Sequence, residues 1–166
     1  LIKAAKILLA EGYKDFKVKI CGYCPSSKWA AIYQPMLHGV EVIDADIRRI
    51  PNEEIPNLFE ESHYFVMPYQ DIAQSGAITV AFYYNLPVIV SNLDSFKEYI
   101  SDKENGYFFE VGSAELLALT MKYAIDHHKE NYIRLRVNQM RMLEEKLSVT
   151  AVLKKYKRYI DCLCQN

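Results

Sequence analysis

The residues best placed for chemistry lie in the run Pro68-Tyr69-Gln70-Asp71-Ile72-Ala73-Gln74-Ser75-Gly76. It leaves an apolar strand pattern at 63–67 and enters an apolar helix pattern at 75–84. Gln-Ser-Gly at a helix start offers free backbone N–H groups, a hydroxyl and room for close approach. The first helical turn has unpaired donors and a partial positive charge. An anion such as a diphosphate can bind there without a lysine. The same residues also suit an ordinary capped helix start. A second constellation, Cys21-Gly22-Tyr23-Cys24, stands between a strand and a helix pattern, the setting of a thiol–disulfide redox motif. An accidental pair is the plainer reading. Zinc held by Cys21, Cys24, Cys162 and Cys164 would need the chain ends to meet, and the closing C-x-C spacing suits zinc poorly. No metal is expected. His127–His128 fall late in a helical pattern, where cations offset the helix dipole, and His38 and His63 stand isolated. Ser95 and Glu98 suit a helix cap.

Positioning such residues takes a regular scaffold, and the chain alternates between two hydrophobic periods. Helix is expected over 1–11, stopped by Gly12, and over 26–36, ended or kinked at Pro35. Shorter helices are expected from Asn52 and over 95–100. Strands are expected over 17–21, 40–43, 63–67, 87–90 and 106–111. Runs such as FVM and VIV lack polar alternation, so both of their faces are covered, which indicates a parallel sheet with helices on each side. The expected fold is α/β and Rossmann-like, one domain over 1–166. Its helical tail, 113–166, begins at an N-cap Ser113 and breaks near Asn131 and Ser148. Ligands of such sheets sit beyond the carboxyl ends of strands, which selects the loops at 22–27, 45–51, 68–76 and 91–96.

Composition narrows the classes. With 166 residues, 51% hydrophobic and 25% charged, the chain can close one substantial core. Lys plus Arg is 20 and Asp plus Glu is 21, a net charge of −1, which speaks against nucleic acid as a partner. No apolar run reaches the ~18 residues of a membrane span. Four cysteines make no disulfide scaffold, and a reducing, cytoplasmic setting is expected. Leu1 already stands inside a helical pattern, so the chain is expected to be a fragment of a longer protein. Residues 122–161 carry an excess of five positive charges beside Tyr156, Tyr159 and Ile160. That tail suits either packing on a missing domain or peripheral contact with an anionic membrane.

The run PYQDIAQSGAITVAFYYNLPVIVSN resembles the C-terminal domain of family 4 (group 1) glycosyltransferases of the GT-B fold. Pro68, Ala81, Pro87, Val88 and Ser91 fall in register with that family's pattern without a gap, and LIKAAKILL, DFKVKICG, FKEYI and NGYFF continue its order. The resemblance implies an enzyme whose donor is a nucleotide-diphosphate sugar, with no other cofactor. The sugar would pass, with retention, to an acceptor held by an N-terminal Rossmann domain. It further implies that Gln74, Ser75 and Gly76 hold the diphosphate, that Ile47 and Arg48 meet the base, and that Tyr69 and Asp71 lie on the sugar side. Gly22 takes the place of the family's strand-end glycine. The two glutamates typical of the family fall on Ile72 and Val80 here, which removes the ribose contact at Val80 and leaves Asp71 or Gln74 to serve in place of the first. Two other readings are carried: a thiol–disulfide oxidoreductase using Cys21 and Cys24, and a non-catalytic interaction module of the same fold.

Overall fold

The structure is a computed structural model and describes residues 1–73 and 75–163. Helix α1 (Ile2–Ala10) buries Ile2, Ala4, Ala5 and Leu8 along one stripe and stops before Gly12, whose φ of +91° suits glycine. Strand β1 (Val18–Cys21) follows, then an exposed helical stretch of three kinds: α2 (Ser26–Lys28), a π turn (Trp29–Tyr33) and a 3-10 turn (Gln34–Leu37) that contains Pro35. Next come β2 (Ile43–Asp46), a 3-10 turn (Asn52–Glu54), α3 (Ile55–Glu60), β3 (Phe65–Met67), α4 (Gly76–Tyr83), β4 (Val88–Ser91), α5 (Asp94–Lys97) and β5 (Gly106–Phe109). Helices α6 (Ala114–Asp126), α7 (His128–Met142) and α8 (Val149–Leu163) close the chain, with a π turn (Leu143–Leu147) between the last two.

Among the described residues all strand pairs are parallel, and they form two ladders, β1–β2 and β3–β4–β5. The three-stranded ladder shows why its sequence lacks polar alternation. Successive side chains point to opposite faces, and both faces are covered. Val66, Ile89, Tyr107 and Phe109 pack with α1 and α6, while Phe65, Met67, Val88, Val90 and Phe108 pack with α4 and α5. Val18, Ile20 and Ile43 of the two-stranded ladder join the first of these clusters. The expected α/β, Rossmann-like architecture with a helical tail is what the chain adopts. Among the described residues, no helix is long and apolar enough to cross a membrane.

Three expectations are corrected. The strand expected over 40–43 forms at Ile43–Asp46 instead, because Gly39 (φ +72°) opens a turn in which the Ile43 amide donates to the Val40 carbonyl at 3.1 Å. Pairing with β1 starts only there, at Val18↔Ile43. The tail breaks at His127–His128 rather than near Asn131; the break at Ser148 is as expected, its hydroxyl accepting from the Ala151 amide at 3.1 Å. Ser95 does not cap α5: the N-cap is Leu93, and the buried Ser95 hydroxyl has no partner among the described residues.

The break at His127–His128 builds something the isolated histidines did not suggest. His63, just before β3, meets the His128 ring edge-on at 4.9 Å, and both rings meet Tyr132. The Tyr64 hydroxyl lies 3.3 Å from His128 Nδ1 and donates to the Ala124 carbonyl at 3.3 Å. Burial, and secondarily the neighbouring His63, hold His128 below the ordinary imidazole value of 6.5. Its neutral form is therefore favoured in the folded chain, and the unfolded chain takes up the proton first. Stability should be full above about 6.5 and fall as pH drops through that value. A urea midpoint that declines between about pH 8 and about pH 5 in the parent, and declines less in His128→Gln, is the expected result.

Candidate functional site

Parallel strands place their following loops on one edge of each ladder, and the candidate residues occupy those edges. Cys21 and Asp46 are register partners at the ends of β1 and β2. The next residue, Gly22, donates its amide to the Asp46 carbonyl at 3.1 Å. Its φ of +138° is one that L side chains rarely adopt, and the space around its α-carbon is open. Ile47 and Arg48 leave β2 beside it. On the second ladder, the Ser91 hydroxyl donates to the Met67 carbonyl at 3.3 Å, tying the ends of β3 and β4 together. The loop 68–75 leaves from that point.

The start of α4 is open to a ligand. Ser75 is the N-cap, with extended backbone (φ −126°, ψ 111°), yet its side chain caps no amide. Gly76 is exposed, with nothing within 4 Å of where a Cβ would sit. The helix is fixed from behind by Ile78, Ala81 and Phe82, which are buried in the core. Among the described residues, no group outside the helix accepts from the amides of its first turn. Rigid backing, exposed donors and a glycine at the first helical position are what an anion site requires. Tyr69 stacks on Phe96 with ring centroids 6.2 Å apart and planes 17° from parallel, which anchors the loop between β3 and α4. Asp71 is exposed, whereas Ile72 turns inward against the core. Gln74 lies outside the described residues.

Electrostatics separate the two edges. Arg48 is held by two carboxylates, its Nε donating to Asp46 and its Nη1 to Glu54. This keeps its guanidinium charged far beyond any working pH and holds the Glu54 carboxyl below its usual range. Lys19 is paired with Glu61. Arg49, next to Arg48 in the chain, makes no ion pair among the described residues. The Cys21 thiol is pushed up by burial first and by Asp46 and Asp44 next. A redox nucleophile needs the opposite shift, so the surroundings of Cys21 do not favour its thiolate. Cys164, needed for the zinc reading, lies outside the described residues. No cluster of three or more His, Cys, Asp or Glu side chains suited to a metal exists among the described ones. Two hollows lie elsewhere, one of about 480 Å³ between Phe82, Tyr83 and Leu147, and one of about 390 Å³ beside β5 and α6; neither contains a candidate residue.

Comparison with known proteins bears on the family and the fold. A family model described as "Glycosyl transferases group 1" matches residues 1–139. No curated protein matches the chain. Among solved structures, a glycosyltransferase from Rickettsia africae superposes with a TM-score of 0.78 at 16% identity, over 100% of this chain and 44% of its own. HepE from Anabaena, solved with UDP, gives 0.77 at 15% identity, over 98% of this chain and 44% of its own. The C-terminal domain of a glycosyl transferase group 1 family protein, LpcC, from Francisella tularensis gives 0.75 at 21% identity, over 89% and 77%. The chain thus spans less than half the length of the first and second of these relatives.

Proposed function

The chain belongs to the group 1 glycosyl transferases, and from that premise we propose that it is the donor-binding half of a retaining hexosyltransferase acting in polysaccharide or glycolipid synthesis. The donor is a nucleotide-diphosphate sugar and the acceptor a hydroxyl. The observation that carries this reading is the start of α4, where, among the described residues, Ser75 makes no side-chain cap and Gly76 is exposed. Negative charge grows on the diphosphate as it leaves, and fixed amides aimed at it stabilise that charge without reorganising. Ser75 and Gly76, with Gln74, hold the diphosphate. Ile47 and Arg48 meet the base, Gly22 keeps the strand end open, and Tyr69 and Asp71 face the sugar. Complexes of HepE with UDP and with UDP and glucose support a nucleotide sugar as donor.

A second Rossmann domain would carry the acceptor, so this domain by itself should not turn over. Support comes from the 44% coverage of the longer relatives and from α8, which leaves Val149, Leu153, Tyr156, Tyr159, Ile160 and Leu163 exposed along one side. Peripheral contact with an anionic membrane is the other use of this helix, given Lys154, Lys155, Lys157 and Arg158. A non-catalytic module of the same fold is favoured by Ile72 and Val80, which offer no carboxylate to sugar or ribose. Calorimetry on the whole polypeptide decides between them. UDP or GDP should bind with a micromolar to submillimolar Kd, and absence of binding of both at millimolar ligand leaves the module reading.

A further inference from the structure

We propose that Glu54 is a positioning residue of the donor site, which together with Asp46 fixes Arg48 as a flat platform for the nucleobase rather than as a grip for phosphate. The inference rests on the donor-binding reading and specifies how that site works. Arg48 lies in the loop between β2 and the 3-10 turn at Asn52–Glu54. Its Nε donates to both Asp46 carboxylate oxygens, at 2.9 and 3.0 Å, and its Nη2 meets Asp46 Oδ2 at 2.9 Å. On the other edge, Nη1 donates to Glu54 Oε1 at 3.1 Å and Nη2 donates to Glu54 Oε2.

A guanidinium has five N–H donors, all in its plane. Here each of its three nitrogens is already engaged by carboxylate. A diphosphate would need those same in-plane donors, and it would have to displace two carboxylates of its own sign. The three side chains together carry one net negative charge, so the cluster repels phosphate. What the clamp leaves available is one Nη1 N–H and the face of the plane. The Arg48 side chain stays 45% exposed. Guanidinium faces stack well on aromatic rings, and a plane held from two sides loses little freedom when a ring settles on it. Asp46 ends a strand and Glu54 ends a helical turn, so the clamp also sets the shape of the loop that carries Ile47. The division of labour is then clear. The amides of α4 take the negative charge, and Arg48 takes an uncharged, planar partner.

The test uses the whole polypeptide and three ligands: UDP, GDP and inorganic pyrophosphate. Arg48→Ala and Glu54→Ala should each weaken the better-bound nucleotide about 5- to 10-fold and leave pyrophosphate affinity unchanged. Glu54→Asp, which keeps the charge, should recover part of the loss. Equal weakening of nucleotide and pyrophosphate in Arg48→Ala would make Arg48 a phosphate ligand and overturn the proposal. Unchanged nucleotide affinity in both alanine variants would reduce the clamp to a surface ion pair and overturn it as well. A parent protein that binds none of the three ligands would remove the donor-binding reading itself, a result distinct from either. Thermal melting of each variant separates loss of binding from loss of fold.

Discussion

Replacing Ser75 with glutamate should weaken UDP or GDP binding by about 10- to 100-fold while leaving the fold intact. The position tolerates the change structurally. Its backbone is extended, its hydroxyl makes no capping bond, and the helix behind it is held by Ile78, Ala81 and Phe82 rather than by the cap. A carboxylate at a helix N-terminus is itself favourable, so the new side chain would occupy the place kept for the ligand's anion. Two unit charges about 5 Å apart repel by about 3 kcal/mol at an effective dielectric near 20. An edge as open as Gly76 admits solvent and reduces that figure toward the lower end of the range. Ser75→Ala is the control and should cost little in stability, since no cap is lost. Calorimetry alongside a melting curve reads both effects. Undiminished binding in Ser75→Glu would mean that the diphosphate does not rest on α4.

The start of α4 was legible in the sequence because its signal is local. An apolar strand pattern, a short polar loop and Gln-Ser-Gly before an apolar helix mark a helix start, and α4 forms within one residue of where periodicity puts it. The buried run at Val88–Ser91 and the cap at Ser113, which accepts from the Leu116 amide at 3.1 Å, are local in the same sense. Features created by packing at a distance were not legible. His63 and His128 stand 65 positions apart and meet only because α7 returns across the start of β3. Gln139 is fully buried, and with its amide oxygen and nitrogen exchanged it pairs with both backbone groups of Leu86 at 3.3 Å, clasping the turn after α4 from α7. The apolar 40–43 run reads as a strand because periodicity reports which residues are buried but not where a ladder begins. Turn chemistry at Gly39 decides that instead. Arg48 shows a third limit. Sequence marks it as a cation near the strand end, but only the path of its loop brings Asp46 and Glu54 to opposite edges of its guanidinium.

Gly106→Val should lower stability by at least about 2 kcal/mol, a fall of about 4–8 °C in melting temperature for a chain of this size. Gly106 opens β5 and pairs with Val88. A Cβ added there would lie 2.9 Å from the Val88 carbonyl oxygen, 2.9 Å from Val88 Cγ2 and 3.1 Å from Ile100 Cγ2. The carbonyl belongs to the central strand, and both side chains are buried, Val88 fully. Nor can the glycine retreat. Its own carbonyl accepts from the Lys103 amide at 2.8 Å, and the buried Asn105 side chain accepts from the Ser101 amide and donates to the Tyr99 carbonyl, each at 2.8 Å. Its φ is not in the left-handed region, so the requirement for glycine is one of space alone. Gly76→Ala provides the contrast. Nothing lies within 4 Å of the added methyl, and the melting temperature should move by no more than about 2 °C. On the proposed donor site the methyl would, however, stand where the phosphate approaches the amides of α4, so nucleotide affinity should fall. Unchanged affinity in Gly76→Ala would place the diphosphate elsewhere, and an unchanged melting temperature in Gly106→Val would mean that the β4–β5 pairing is not as close as these distances make it.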